Sequence, residues 1–126
     1  MQVSPSELAD RFTILLLKVA HGMEVHDELH AYHSALRDES WWVMPGMADA
    51  IVGLFAVNAA IWQLEWQVRQ GREGEIGFEE VGRRALAIRD RNAERIRIKN
   101  RIAELTGSLF REQKTDHASA EEPHVR

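Results

Sequence analysis

The hydrophobic residues of this chain recur at intervals of three and four positions, which is the period of an amphipathic α-helix. The first such stretch reaches Val19 from a start at Pro5, where Ser4 and Glu7 have the spacing of a capping box. Gly22 is the expected end of this helix. No segment has the alternating pattern of a half-buried strand, so the sequence predicts helices only.

Three further helices follow from the same spacing and from glycine or proline residues between them. They are expected from about Met23 to Trp42, from about Met47 to Gln70, and from about Phe78 to Thr106, with a glycine-rich turn over 71–77. We therefore predict an all-α, antiparallel four-helix bundle with a long hairpin of helices 3 and 4 in residues 1–107, and a flexible C-terminal tail over 108–126. Part of the long hairpin would stay uncovered in a monomer, so a homodimer is predicted.

Polar residues interrupt the apolar stripes of the two long helices. Heptad steps along helix 3 place Asn58 and Glu65 on the buried line. The same steps along helix 4 place Asn92, Arg95 and Lys99 between apolar turns. Antiparallel packing would bring these two polar segments level with each other.

Helix 1 adds three polar residues, Asp10, Thr13 and Lys18, at the border of its apolar face. Burying an unpaired charge costs several kcal/mol, so such groups need partners or a ligand. The charged residues of this set are three cations (Lys18, Arg95 and Lys99) and two anions (Asp10 and Glu65). A pocket that contained all five would carry surplus positive charge and would suit an anion such as a phosphate or a carboxylate.

The main functional hypothesis is an anionic small-molecule site between helices 1, 3 and 4. Its candidate residues are Lys18, Arg95 and Lys99 as charge partners, Asn58 and Asn92 as hydrogen-bonding groups, Trp62 as a ligand contact, and Glu65 or Asp10 as a general acid or base. Whether any reaction follows binding is left open. No cofactor is expected.

The alternative is a structural or protein-interaction module whose buried polar network only fixes the helix register. Glu65 and Arg69 have the i, i+4 spacing of a surface ion pair. Residues 83–101 carry eight Arg or Lys, whereas residues 1–70 carry nine acids and four bases. Complementary packing within a bundle explains this distribution as well as a ligand does.

The histidines and tryptophans of the second helix offer other sites. His26, His30 and His33 share one helix face, but no Glu-x-x-His motif accompanies them, so a solvated face is favoured over a metal site. One of Trp41 and Trp42 must point outward, where contact with a ligand or a partner is the less favoured alternative to a packing role.

Composition excludes several classes of protein. The chain has no cysteine and a formal charge of −4, which gives no reason to expect a disulfide scaffold or nucleic-acid binding.

The apolar window from Met47 to Trp62 contains Asp49 and Asn58 and runs into Glu65, so we interpret it as a core helix and expect no membrane partner. No secretory signal is evident, and a cytoplasmic location is expected. Phosphate-binding loops and nucleophile motifs are absent.

Three segments resemble an uncharacterised bacterial and phage domain family. The opening Ser4-Pro5-x-Glu7-Leu8-x-Asp10-x-x-Thr13-Ile14-Leu15-x-x-Lys18 is similar to its S-P-x-E-L-x-D-K-x-T-I-L-x-x-K. Its N-x-x-L-W-x-x-E segment resembles Asn58-x-x-Ile61-Trp62-x-Leu64-Glu65, and its ending N-x-x-R-x-x-I-K-x-x-I-x-x-L-x-G-S resembles residues 92–108. Family members tend to be encoded near surface-polysaccharide genes, so the resemblance implies a sugar phosphate or a nucleotide sugar as ligand. The segment from His21 to Met47 departs from the family. Part of helix 4 also resembles the small helical chorismate mutases, whose site consists of arginine, lysine and glutamate.

Overall fold

The computed structural model describes residues 3–69 and 73–107. Within these ranges the chain forms four α-helices and a short 3-10 helix, with no strand. They are α1 (Pro5–Ala20), α2 (His26–Asp38), the 3-10 helix η1 (Trp41–Val43), α3 (Met47–Arg69) and α4 (Glu73–Leu105). The prediction of an all-α protein is confirmed.

Helix α1 begins and ends where its sequence predicts. The Ser4 hydroxyl accepts a hydrogen bond from the backbone N–H of Glu7 at 3.3 Å, and Pro5 occupies the first turn. After Ala20 the chain leaves the helix, and Gly22 adopts a φ of +83°. This left-handed conformation is readily accessible to glycine, so Gly22 is a natural residue to follow the end of the helix.

Helices α2 and α4 differ from their predicted bounds. The predicted second helix was longer at both ends, because α2 begins at His26 and not at Met23, and because Ser40, with a φ of +62°, redirects the chain into η1. Helix α4 begins at Glu73, five residues before the predicted start, and contains a kink at Gly77, where φ is +81° and ψ is 155°. The predicted tail over 108–126 and residues 70–72 of the predicted turn lie outside the described residues.

The core lies mainly between α1, α3 and α4, which all contact one another. Its fully buried members include Leu8 and Ala9 of α1, Leu54 of α3 and Ile102 of α4. Helix α2 packs on α1 and η1, and Leu36 is its single buried residue. In the described ranges no Cα atom of α2 lies within 8 Å of a Cα atom of α3 or α4.

Helix α3 is apolar around most of its circumference. Its segment Met47–Val68 is long and apolar enough to span a membrane by length and composition, and 39% of that window is buried inside the protein. A core helix passes the same test. The exposed apolar residues on α3 include Val52, Phe55 and Trp66, at 67%, 37% and 54% exposure. Thus α3 contributes to the core on one side and presents apolar surface on the other.

Candidate functional site

Asp10 is the centre of a buried polar network that joins α1 to α3 and α4. Its side chain is completely buried and accepts two hydrogen bonds from Arg95, Nε to Oδ1 at 3.0 Å and Nη2 to Oδ2 at 2.5 Å. Asn58 Nδ2 donates to Asp10 Oδ1 and to Thr13 Oγ1, both at 2.9 Å, and the Thr13 hydroxyl donates to the Asp10 carbonyl at 2.8 Å. The bidentate arginine supplies the charge-assisted bonds that a buried carboxylate needs.

Lys99 has a second carboxylate partner, Glu7. Lys99 Nζ lies 2.9 Å from Glu7 Oε1 and 3.9 Å from Asp10 Oδ2, and the lysine side chain is only 5% exposed. On its outer side Glu7 also accepts a hydrogen bond from Arg11 at 2.8 Å. Burial by itself raises the pKa of Glu7, but the hydrogen bonds and charges of Lys99 and Arg11 outweigh burial and hold this pKa below its ordinary value.

These pairs correct the predicted charge surplus. Arg95 is matched by Asp10, and Lys99 is matched by Glu7, which the sequence interpretation had assigned only to helix capping. Glu7 and Asp10 are one turn apart on α1, and Arg95 and Lys99 are one turn apart on α4, so the four charges form two cross-helix pairs. The buried network therefore does not require an external anion.

A cavity of about 550 Å³ lies beside this network, between α1, α3 and α4. Six of the eight predicted site residues line it: Lys18, Asn58, Trp62, Glu65, Asn92 and Arg95. Asp10 and Lys99 are not in the lining and belong to the buried network instead. Cavities of this size accommodate small molecules.

The charged groups of the cavity come from three helices. Lys18 of α1 is half-buried and makes no ion pair within residues 3–69 and 73–107. Arg95 of α4 reaches the lining while its guanidinium holds Asp10, and its Nη1 also donates to Asn92 Oδ1 at 3.4 Å. Glu65 of α3 adds one carboxylate, so the lining combines two cations with one anion.

Aromatic rings form another part of the lining. Trp62 and Trp66 both line the cavity, one helical turn apart on α3. The ring of His21 stacks on Trp62 with a centroid separation of 4.6 Å, and His21 Nδ1 lies 2.8 Å from the Leu17 carbonyl oxygen. The stacked imidazole covers part of the Trp62 indole and helps to fix its orientation.

The predicted histidine face contributes to a different part of the molecule. His26 and His30 are exposed, whereas His33 stacks on Phe12 at 5.8 Å and meets the edge of Trp42 at 5.2 Å. Among the described residues no group of three His, Asp or Glu side chains is arranged to hold a metal ion. His33 and Trp42 thus help to pack α2 and η1 against α1.

Sequence reasoning missed the stacking of His21 on Trp62 and the pairing of Glu7 with Lys99. The signal for Glu7 was its position one turn before Asp10, which matches the spacing of Arg95 and Lys99. No comparable signal marked His21, because its contact with Trp62 depends on the way α1 ends beside α3.

The chain was compared with known proteins. No protein-family model, curated protein or solved structure matches it. The resemblance to the bacterial and phage domain family and its implied ligand therefore stay predictions, and the cavity is interpreted from its own chemistry.

Proposed function

We propose that this protein binds an anionic small molecule, such as a sugar phosphate or a nucleotide sugar, in the cavity between α1, α3 and α4. The observation that carries the proposal is that six residues selected from the sequence line a single cavity. Four of them, Asn58, Glu65, Asn92 and Arg95, interrupt otherwise apolar helix stripes. These polar groups around one void carry donors and acceptors that a ligand could use.

Anion binding in this proposal depends chiefly on Lys18. The charge of Arg95 is balanced by Asp10, whereas Lys18 has no carboxylate within ion-pair distance in the described parts of the chain. An ammonium group at the wall of a partly enclosed cavity attracts a phosphate or carboxylate by charge-assisted hydrogen bonding. Arg95 then adds guanidinium N–H donors to the same wall.

The other lining groups suit a ligand with a ring and hydroxyl groups. Trp62 and Trp66 supply flat apolar surface for a sugar or base ring. Glu65 can accept hydrogen bonds from ligand hydroxyls, and Asn58 and Asn92 carry amide groups that can donate or accept. Of the two acids predicted as general acid or base, only Glu65 lines the cavity, so any proton transfer to a ligand would use Glu65.

The proposed site also implies an arrangement of the helices. Gly46 lies beside Leu105, Gly53 lies beside Ile98, and Arg84 donates to Gln67 at 2.8 Å. From the first of these contacts to the last, the position on α3 moves toward its C-terminus while the position on α4 moves toward its N-terminus. This order supports an antiparallel hairpin. We therefore propose an antiparallel bundle in which this hairpin and α1 enclose the site.

The test is a titration of the purified protein with inorganic phosphate, glucose 1-phosphate and UDP-glucose. Calorimetry and tryptophan fluorescence are suitable because Trp62 and Trp66 line the cavity. Lys18→Met should weaken binding by about tenfold or more, the value of one charge-assisted hydrogen bond. Arg97→Met is the matched control, since Arg97 is an exposed cation outside the lining, and it should leave binding unchanged. The proposal fails if the wild type binds none of the three probes at millimolar concentration, or if both variants bind equally well.

A second candidate is a scaffold or interaction module, favoured by the pairing of Arg95 with Asp10 and of Lys99 with Glu7. In such a module the network fixes the register of α1 against α4 and needs no ligand. The two candidates differ in the role of Lys18, which lies outside both pairs. A scaffold predicts no binding of the three probes and no effect of Lys18→Met on partner capture.

A further inference from the structure

An apolar groove lies between α1, η1 and α3. It has a volume of about 390 Å³, and its walls include Phe12 and Leu16 of α1, Trp42 of η1, and Ile51, Val52 and Phe55 of α3. Val52 is 67% exposed and Phe55 and Trp42 are each 37% exposed. A continuous exposed apolar surface of this kind marks an interaction site.

We propose that a second copy of this chain covers the apolar groove and forms a two-fold symmetric dimer. In such a dimer the same surface of each copy meets the other, so the groove and its exposed residues Val52 and Phe55 pack against their counterparts. The groove shares no lining residue with the anion site, so the proposal does not depend on that site.

The unpaired charges of α2 and α4 identify a second copy as the occupant. Four exposed acids of α2 and its C-terminal end make no ion pair within the described part of the chain: Asp27, Glu28, Asp38 and Glu39. Arg97 and Arg101 of α4 are likewise exposed and make no ion pair there. Opposite charges on α2 and α4 could pair within one molecule if the two helices were in contact. However, no Cα atom of α2 lies within 8 Å of a Cα atom of α4.

The two charged surfaces lie near the same end of the groove. Asp38 and Glu39 precede η1, which carries Trp42 at the groove. The Arg101 guanidinium lies close to Gly46, just before α3 begins, 3.9 Å from the position that a Cβ of Gly46 would occupy. A two-fold axis through the groove would place the acidic rim of one copy against the basic rim of its partner. Complementary rims around an apolar centre are typical of specific interfaces.

The first experiment measures the mass of the full chain by sedimentation velocity over a range of concentrations. We expect a reversible dimer for the wild type. Val52→Glu places a carboxylate in the groove and should raise the dimer dissociation constant by about tenfold or more, equivalent to about 1.4 kcal/mol. Leu86→Glu is the matched control, because Leu86 is an exposed apolar residue of α4 that does not line the groove. It should leave the dissociation constant unchanged.

A charge reversal tests the orientation of the dimer. Asp38→Arg and Arg101→Asp should each weaken association, and the double variant should recover part of the loss. Circular dichroism checks that each variant keeps its helix content. A wild type that stays monomeric at the highest soluble concentration overturns the proposal, as does a Val52→Glu dimer of wild-type strength. Flotation of a monomeric wild type with phosphatidylglycerol vesicles, lost in Val52→Glu, would assign the groove to a membrane instead and also overturn it.

Discussion

The contributions of Asp10 and Arg95 to the free energy of unfolding should be strongly coupled, because the two side chains form a buried ion pair. Arg95→Met removes both guanidinium hydrogen bonds and leaves a fully buried carboxylate with Asn58 and, at 3.9 Å, Lys99. Breaking a buried pair from one side costs about 3–5 kcal/mol. We expect about 3 kcal/mol, the lower end, because the Arg95 side chain is 29% exposed and Lys99 remains nearby.

The complementary variant, Asp10→Asn, keeps the shape of the side chain and the hydrogen bond from Asn58 but removes the charge that Arg95 faces. We again expect a loss of about 3 kcal/mol. The double variant should lose about 2 kcal/mol less than the sum of the single losses, since neither charge is then left without its partner. Urea unfolding followed by far-ultraviolet circular dichroism measures all three free energies of unfolding.

Arg89→Met provides the baseline for this cycle, because the Arg89 side chain is 66% exposed and its loss should change stability by no more than about 0.5 kcal/mol. Single losses that simply add in the double variant, to within about 0.5 kcal/mol, would show that the two side chains do not act as a pair. That result would refute the structural role of the network, whichever ligand the cavity binds.

Three further predictions concern α1, the turn that follows it, and α4. The folded-state pKa of Glu7 lies below its unfolded value. Glu7 therefore contributes stability that is fully present above about pH 4.3 and is lost as the pH falls through the folded pKa. Glu7→Gln should reduce the slope of stability against pH in acid unfolding, and an unchanged slope would contradict the pairing of Glu7 with Lys99. Lys99→Met should lower the free energy of unfolding, measured in urea, by about 3 kcal/mol. The reason is that Glu7 and Asp10 then lose a cation whose side chain is only 5% exposed. Gly82→Ala should raise stability by about 0.5–1 kcal/mol, since a Cβ at this helical position meets open space. Gly22→Ala should lower stability by about 1 kcal/mol, because Gly22 has a φ of +83°. Thermal melts that rank the two variants in the opposite order would reject this reasoning.

Local rules predicted the starts of α1 and α3 well. Ser4 and Pro5 specify the start of α1 through interactions within one turn, and Pro45-Gly46 precedes the start of α3 at Met47. Such signals act between neighbours in the sequence and do not depend on tertiary packing.

The end of α2 could not be predicted in the same way. Ser40 adopts a left-handed backbone conformation, which is uncommon for serine. The sequence from Met23 to Trp42 has no glycine that would have marked this turn. The turn allows Trp41 and Trp42 to reach α1, so tertiary packing overrides the local preference for helix.

The polar residues of the candidate site were found because they break the apolar stripes. Periodicity places Asn58 and Arg95 on buried lines, and both belong to the network around Asp10. Periodicity does not reveal which charges pair across helices, so it assigned no cation to Glu7 and gave an incorrect charge surplus. Partner choice depends on the relative rotation and register of the helices, so the matching spacing of Glu7 and Asp10 with Arg95 and Lys99 allows the pairing but does not by itself predict it.

The pairing of α1 with α4 also constrains how the protein is made. Asp10 and Arg95 are 85 positions apart, and Glu7 and Lys99 are 92 apart. At about 5–20 residues per second of synthesis, Asp10 waits roughly 4 to 17 seconds for its arginine to be added. Helix α1 therefore cannot pair its buried acidic residues until α4 has been synthesised, which makes closure of the core a late step in folding.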